Sequence, residues 1–430
     1  MSSSLAERKT PNPWYTAVVT GMASYLDSAT IVSSGAALVM YQEPLGITDN
    51  QIGIASFTLT LGIGIGAMVG GRLGDRYGRK PVFSVTMILI IVAMVLNIFG
   101  GSFGALALAA ALAGFATGAD LPVSIATIAE AASDKNRGKL VGFSQVLWML
   151  GVVVSLVLQS LFGDQGRTGG QIMFAHILVV ALVTLVLRMT LPESSVWLKA
   201  RQERAAGIHT ERAEHVSIAD LLKKPYLVPF LGLLIFYPLV NLAANTGGQF
   251  GTYLWVNLAG STASFAGQMG LLNFGIGMVL SIFFLRIVDT KWRMPAFYVG
   301  AVAYVLSVLI PALAGVSVAT LITWQVLGAI GGAFAFEAIL KVWTQESFPT
   351  LLRSTAQGTI ISVARILAAV LALVTPALAN SGPTVLFGLL TALVVIGMAA
   401  AIFAFARGGR NEFDLEDKVV DQDGFVHQTP

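Results

Sequence analysis

EAASDKNR, residues 130–137, and ESFPTLLR, residues 346–353, each place an arginine seven positions after a glutamate. Both follow a shorter charged cluster: Asp75-Arg76-Tyr77-Gly78-Arg79 before Glu130 and Arg137, and Asp289-Thr290-Lys291-Trp292-Arg293 before Glu346 and Arg353. The offsets agree: 289−75 and 293−79 are both 214, and 346−130 and 353−137 are both 216. The chain is therefore a tandem duplication, with each copy carrying the same charge set between apolar helices. A two-bundle transporter needs such a set at one membrane face of both halves; an enzyme or a receptor has no evident use for it.

Working outward, hydrophobic residues make up 55% of the 430 and charged ones only 11%, against about 25% charge in a soluble domain. Apolar runs long enough to span a bilayer as helices fall near 14–39, 51–72, 82–100, 104–131, 140–162, 171–191, 227–257, 264–287, 296–314, 318–345, 355–379 and 384–406. The expected fold is an all-α membrane protein of twelve transmembrane helices in two pseudo-symmetric six-helix bundles. Residues 1–193 form the first bundle, 194–226 a cytoplasmic linker with short helices (194–207 has helical spacing), 227–406 the second bundle, and 407–430 a cytoplasmic polar tail.

Of the 26 lysines and arginines, only Arg167 is assigned to an outer loop and only Lys341 and Arg365 to the membrane interior. The others gather at one side, which the positive-inside rule makes cytoplasmic, together with both termini. The opening segment is too polar for a cleaved signal peptide. With no cysteine and four scattered histidines, disulfides, thiol chemistry, a metal site and a cofactor are not expected. Basic patches interleaved with aromatics, the footprint of nucleic-acid binding, are absent too.

The glycines of GGRLGDRYGRK, residues 70–80, suit a tight turn between the second and third spans and close helix approach. Asp75, Arg79, Glu130 and Arg137, with their counterparts Asp289, Arg293, Glu346 and Arg353, then form a lattice that gates the cytoplasmic ends. A single loop arginine would need no reading beyond topology; a repeated four-residue set does.

GGRLGDRYGRK resembles the signature loop of the major facilitator superfamily. The Glu130–Arg137 segment followed by Gly138, the PESSVWL stretch of residues 192–198, and Glu346-Ser347-Phe348-Pro349-Thr350 to Arg353 narrow the resemblance to the sugar porters. Tyr25-Leu26-Asp27-Ser28, Gly118 through Ser124 and 346–357 look most like the bacterial inositol-transporter branch. The resemblance implies alternating access around a central site near the midplane between the bundles.

Asp27, Asp120, Glu337, Lys341 and Arg365 fall inside spans, where an ionised side chain costs about 2.5–3.5 kcal/mol on insertion scales. Each is a functional candidate, with an inert ion pair as the alternative. Asp27 matches the aspartate that proton-coupled sugar porters carry in the first helix, although the tyrosine of that pattern is displaced by one residue. The arginine that such symporters place early in the fourth helix aligns with Ala110. Asp120 is an extra carboxylate, read either as a second proton carrier or as a paired structural group.

Glu337 and Lys341 share a helix face at i, i+4. By the resemblance, Lys341 and Arg365 stand where sugar porters carry cavity tryptophans. Either the ligand or a co-transported ion is anionic, or Lys341 neutralises Glu337 and Arg365 neutralises Asp120 or binds backbone carbonyls. Gln145 matches a sugar-contacting glutamine, and Asn245 through Tyr253 resembles the family's discontinuous seventh helix, with Gln249 in place of a sugar-binding asparagine. Asn273 lies near another amide position. Amides both donate and accept, as hydroxyl-rich ligands require. Trp324 is the tryptophan singled out as a possible stacking surface; Trp148, Trp255 and Trp343 are read as packing residues, and His176 as a satisfied core residue.

The function expected is proton-coupled symport of a small polyol or sugar, inositol-like, by a monomer in the lipid bilayer of a bacterial inner membrane. The alternatives are a carrier of a sugar acid or other organic anion, an uncoupled facilitator, and a non-transporting sensor.

Overall fold

The computed structural model describes residues 12–133, 136–194, 197–198, 202, 221–348, 350–406, 418–420 and 426–428. The side chains of 137, 350–355, 418–420 and 426–428 lie outside that description. Two compact units divide the chain, 1–210 and 211–430.

In the first unit, α1 (Pro13–Met40) is followed by a short α2 (Gln42–Leu45), α3 (Asp49–Tyr77), α4 (Arg79–Phe99), α5 (Phe103–Ala131), α6 (Arg137–Phe162) and α7 (Arg167–Met189). Side-chain oxygens of Asn12, Thr48 and Ser102 accept from backbone N–H groups at the starts of α1, α3 and α5, meeting donors a helix leaves unpaired. Eleven spans among the described residues are long and apolar enough to cross a membrane, and α1 is not among them. Its serines, threonines and Asp27 lower its hydropathy, yet Thr20, Ser24, Asp27, Ser28, Thr30 and Ser33 are all buried, because α5, α6 and α7 pack around it. A helix shielded by other helices need not be apolar to lie in a membrane.

Helices α3 and α5 approach each other closely. A Cβ on Gly66 would come 2.2 Å from the Phe115 carbonyl oxygen, and one on Gly70 would come 2.3 Å from that of Ala119. In hydrocarbon, association gains come from such backbone approach, since lipid is as apolar as the side chains.

In the second unit, α8 (Leu227–Tyr253) precedes α9 (Ala263–Ile287), α10 (Arg293–Ala314), α11 (Val318–Ala335), α12 (Glu337–Ser347), α13 (Thr350–Ser381) and α14 (Pro383–Phe405). Phe236, Phe297, Trp343 and Phe405 form its aromatic core, with Trp343 and Phe405 stacked at 4.2 Å.

Four expectations change. The expected loop at Gly71–Tyr77 is helical, α3 running to Tyr77, and Gly78 alone makes the turn at φ 103°. The seventh span is continuous α-helix through Tyr253; its irregularity is a π-turn at Leu254–Leu258, beyond the Asn245–Tyr253 stretch. The tenth span is broken at Phe336 into α11 and α12. In the tail, β1 (Lys418–Val420) pairs antiparallel with β2 (Val426–Gln428). Most of the expected linker helix at 194–207 lies outside the described residues, although Trp197 and Leu198 are helical.

Candidate functional site

Gly78 ends α3 and delivers Arg79 to the first turn of α4. From there the guanidinium donates to Asp75 at 2.7 Å and to both oxygens of Glu130, at 2.6 and 3.4 Å. Arg79 is buried, so these are charge-assisted bonds in a partly dry setting. Glu193 accepts from the backbone N–H groups of Arg79 (2.9 Å) and Lys80 (3.1 Å), capping α4 with a carboxylate where the helix dipole favours one. Lys80 donates to the Met189 and Leu191 carbonyls, and the Trp197 indole to the Asp75 carbonyl. Glu193 and Trp197 of the PESSVWL stretch are therefore part of the network. A cavity of about 300 Å³ adjoins it, lined by Arg79, Lys80, Phe83, Glu130, Arg188 and Glu193 among others.

The second unit repeats the arrangement. Arg293 donates to Glu346 at 2.8 Å, lies 3.9 Å from Asp289, and also bonds the Val288 carbonyl. The acid–arginine pairing expected from the repeat is thus present in each unit for Asp75, Arg79 and Glu130 and for Asp289, Arg293 and Glu346. Arg137 and Arg353 are expected in the same lattice; their side chains lie outside the described residues.

Within the first unit, Asp27 is buried on α1 and accepts from the Trp148 indole of α6 at 3.2 Å. The next residue, Ser28, donates to the Trp148 carbonyl at 2.7 Å. Gly151, one turn further along α6, permits this approach: a Cβ there would be 2.2 Å from the Ser28 hydroxyl. Gln145 is exposed on α6, one turn before Trp148.

Asp120, read as a second proton carrier or a paired structural group, is ion-paired. Its carboxylate takes Arg188 at 2.6 Å and Thr86 at 2.8 Å, with the acid 1% and the arginine 2% exposed. Arg188 also donates to the Thr20 carbonyl and to Ser124, and lies over the Phe83 ring. Thr86 and Phe83 of α4, Ser124 of α5 and the backbone of α1 thus surround one buried ion pair, the setting of a structural element. The neutralising cation is Arg188, not Arg365. Sequence reasoning misses Arg188 because, in the last turn of a span, it reads like any other basic residue at a helix end.

In the second unit, Gln249 donates to Asn245 at 3.1 Å, one helical turn apart on α8. Gln249 is buried and Asn245 half-buried. Trp324 is not beside them. It packs on Gly247, whose Cβ would lie 3.2 Å from the indole, and edge-on against Phe387. Gly247 is two residues from either amide and hence on the other side of the helix, so Trp324 contacts α8 on the face away from Asn245 and Gln249. Lys341 and Glu337 pair at 2.9 Å on α12, each half-exposed. Arg365 on α13 is half-buried, as is Asn273 on α9, whose Oδ1 is buried without a hydrogen-bond partner among the described residues. Tyr237 stacks on Phe336 at the break, 5.2 Å between ring centres and 10° between planes. His176 lies edge-on to Tyr25.

Two helical units, each with an arginine–carboxylate network at a helix turn and polar side chains inside its spans, define a polytopic membrane transporter. Residues 17–372 match the Major Facilitator Superfamily, and the chain belongs to that family. It is 33% identical over 412 residues to the minor myo-inositol transporter IolF of Bacillus subtilis (strain 168), covering 94% of this chain and 93% of that one. A probable 4-methylmuconolactone transporter of Cupriavidus pinatubonensis is 26% identical over 326 residues, 73% of this chain and 71% of the other. The partially occluded inward-open xylose transporter XylE from E. coli superposes with a TM-score of 0.70 at 17% identity, over 91% of this chain and 99% of that one. The expected resemblance to the sugar porters, and to their inositol-transporter branch, holds.

Proposed function

We propose that this protein is a secondary active transporter of the bacterial inner membrane, taking up a small polyol, an inositol, together with protons by alternating access. Both termini face the cytoplasm and the monomer is the working unit. The observation that carries this reading is the 33% identity to a myo-inositol transporter along nearly the whole of both chains. Two features of the site support it. Asp27 is a buried carboxylate on α1, the type of group that exchanges a proton when its surroundings change. Gln145, Asn245, Gln249 and Asn273 are neutral amides, suited to hydroxyls that both donate and accept.

The anion alternative is less favoured, because Glu337 holds Lys341 at 2.9 Å and cancels its charge. Thermal stabilisation of the purified protein across inositols, hexoses, pentoses and sugar acids tests the ligand class. Uptake of the stabilising compound with and without an imposed pH gradient tests coupling. A shift with an inositol and accumulation that collapses with the gradient are the expected results. A shift confined to sugar acids would replace the polyol reading, and uptake that ignores the gradient and stops at equilibrium would make the protein a facilitator.

A further inference from the structure

Two adjacent residues of α1 grip one residue of α6 from both ends. Asp27 receives the Trp148 indole N–H at 3.2 Å, and Ser28 gives its hydroxyl proton to the Trp148 backbone carbonyl at 2.7 Å. Neither the ring nor the backbone of Trp148 is then at liberty to shift without altering α1. Gly151 enforces the closeness, since any larger residue would strike Ser28 and the Tyr25 carbonyl. Gln145 is exposed three residues earlier on the same helix, and residues three apart are surface neighbours on a helix. A ligand hydroxyl bound by Gln145 therefore lies one turn from the indole that touches the acid.

From this placement we infer that Trp148 is the positioning residue for Asp27, the group through which ligand occupancy beside Gln145 is communicated to the proton on that carboxylate. The inference rests on the proton-coupled reading above. The proton itself binds and leaves the Asp27 carboxylate; the indole N–H stays on its nitrogen. A donor to a carboxylate favours the ionised form. Holding the indole in line thus promotes proton release, and displacing it promotes loading. Among the described residues, the other titratable side chains in the interior of the helices packed most closely against α1 are Asp120 on α5 and His176 and Arg188 on α7. Asp120 and Arg188 are bound to each other, and His176 lies against Tyr25.

The test separates the acid's titration from transport. Infrared difference spectra of the full-length protein, with Asp27→Asn subtracted, isolate the carbonyl band of protonated Asp27 and give its midpoint directly. Trp148→Phe removes the donor but keeps an aromatic ring, and the midpoint should move alkaline by about one pH unit, the scale of one hydrogen bond to a charged group. The pH profile of myo-inositol uptake should move the same way. Adding myo-inositol should shift the parent's midpoint and leave that of Trp148→Phe unmoved.

Should Trp148→Phe fail to fold, replacing tryptophan by 5-fluorotryptophan sharpens the N–H donor without changing shape, and the midpoint should move acid. An unmoved midpoint in the substituted protein would overturn the inference, as would a ligand shift that survives the loss of the indole. Failure of the coupling reading looks different: the parent would take up the polyol without regard to the pH gradient, whatever the infrared midpoint does.

Discussion

Arg188 and Asp120 meet at 2.6 Å with neither side chain more than 2% exposed. The arginine comes from the C-terminal end of α7 and the aspartate from the interior of α5, so this one buried contact fastens two spans. Removing one partner strands the other as a buried charge. Arg188→Gln or Asp120→Asn alone should each destabilise the protein by about 3–5 kcal/mol. The double variant should recover a large part of that loss. Melting of the four proteins in detergent completes the cycle, and additive losses would show that the pair is not coupled.

Close approach of α3 and α5 yields a paired prediction. Gly66→Ala forces a Cβ to within 2.2 Å of the Phe115 carbonyl oxygen and should destabilise by about 1–3 kcal/mol. A Cβ on Gly64, in the same helix, would meet nothing within 4 Å. Gly64→Ala should therefore be neutral or stabilise by up to about 1 kcal/mol. Similar melting temperatures for the two variants would refute the packing argument.

The network around Arg79 makes the neighbouring cavity a reporter. The chain contains no cysteine, so Ala131→Cys, which lines that cavity, introduces a single thiol. Its reaction with an impermeant maleimide, added from the cytoplasmic side of inside-out vesicles, should accelerate when Arg79→Gln or Glu130→Gln is added. Equal rates in all three backgrounds would deprive the lattice of a gating role.

Gln249 should matter for ligand affinity more than for folding. Its amide bonds Asn245 one turn away, and Gln249→Ala removes that contact together with the donor proposed for the ligand. The KM for myo-inositol should rise about tenfold, the equivalent of roughly 1.4 kcal/mol. The melting temperature should fall only slightly. A variant with unchanged KM would remove Gln249 from the binding site.

What is legible in the sequence follows from repetition. Asp75, Arg79 and Glu130 recur as Asp289, Arg293 and Glu346 at constant offsets, and within each unit the three side chains come together. Most of the spans stand out because lipid demands apolar length. The run expected at 14–39 is the exception: α1 forms there, although its serines, threonines and Asp27 keep it from qualifying by hydropathy.

Single contacts across the bundle are harder to read. Arg188 carries the same local signature as any cytoplasmic arginine, and only its burial separates it from them. Trp148 looks like a packing residue until its N–H is seen on Asp27. The glycines of 71–74 suggest a turn, whereas Gly74 stays helical and serves close contact, its Cβ position being 2.9 Å from Val123. Nothing at Phe336 announces a helix end: no proline follows, and Gly331 and Gly332 lie several residues upstream.

That interruption at Phe336 changes what the tenth span can transmit. An unbroken rod must tilt from end to end, so a disturbance at one membrane face is felt at the other. Interrupted there, the eleven residues of α12 form a segment of their own, opening on Glu337, with Trp343 held among Phe236, Phe297 and Phe405 and Glu346 clasped by Arg293 near its end. Loss of the clasp would then act first on this short segment, while α11 stays seated on Tyr304 and Gly300.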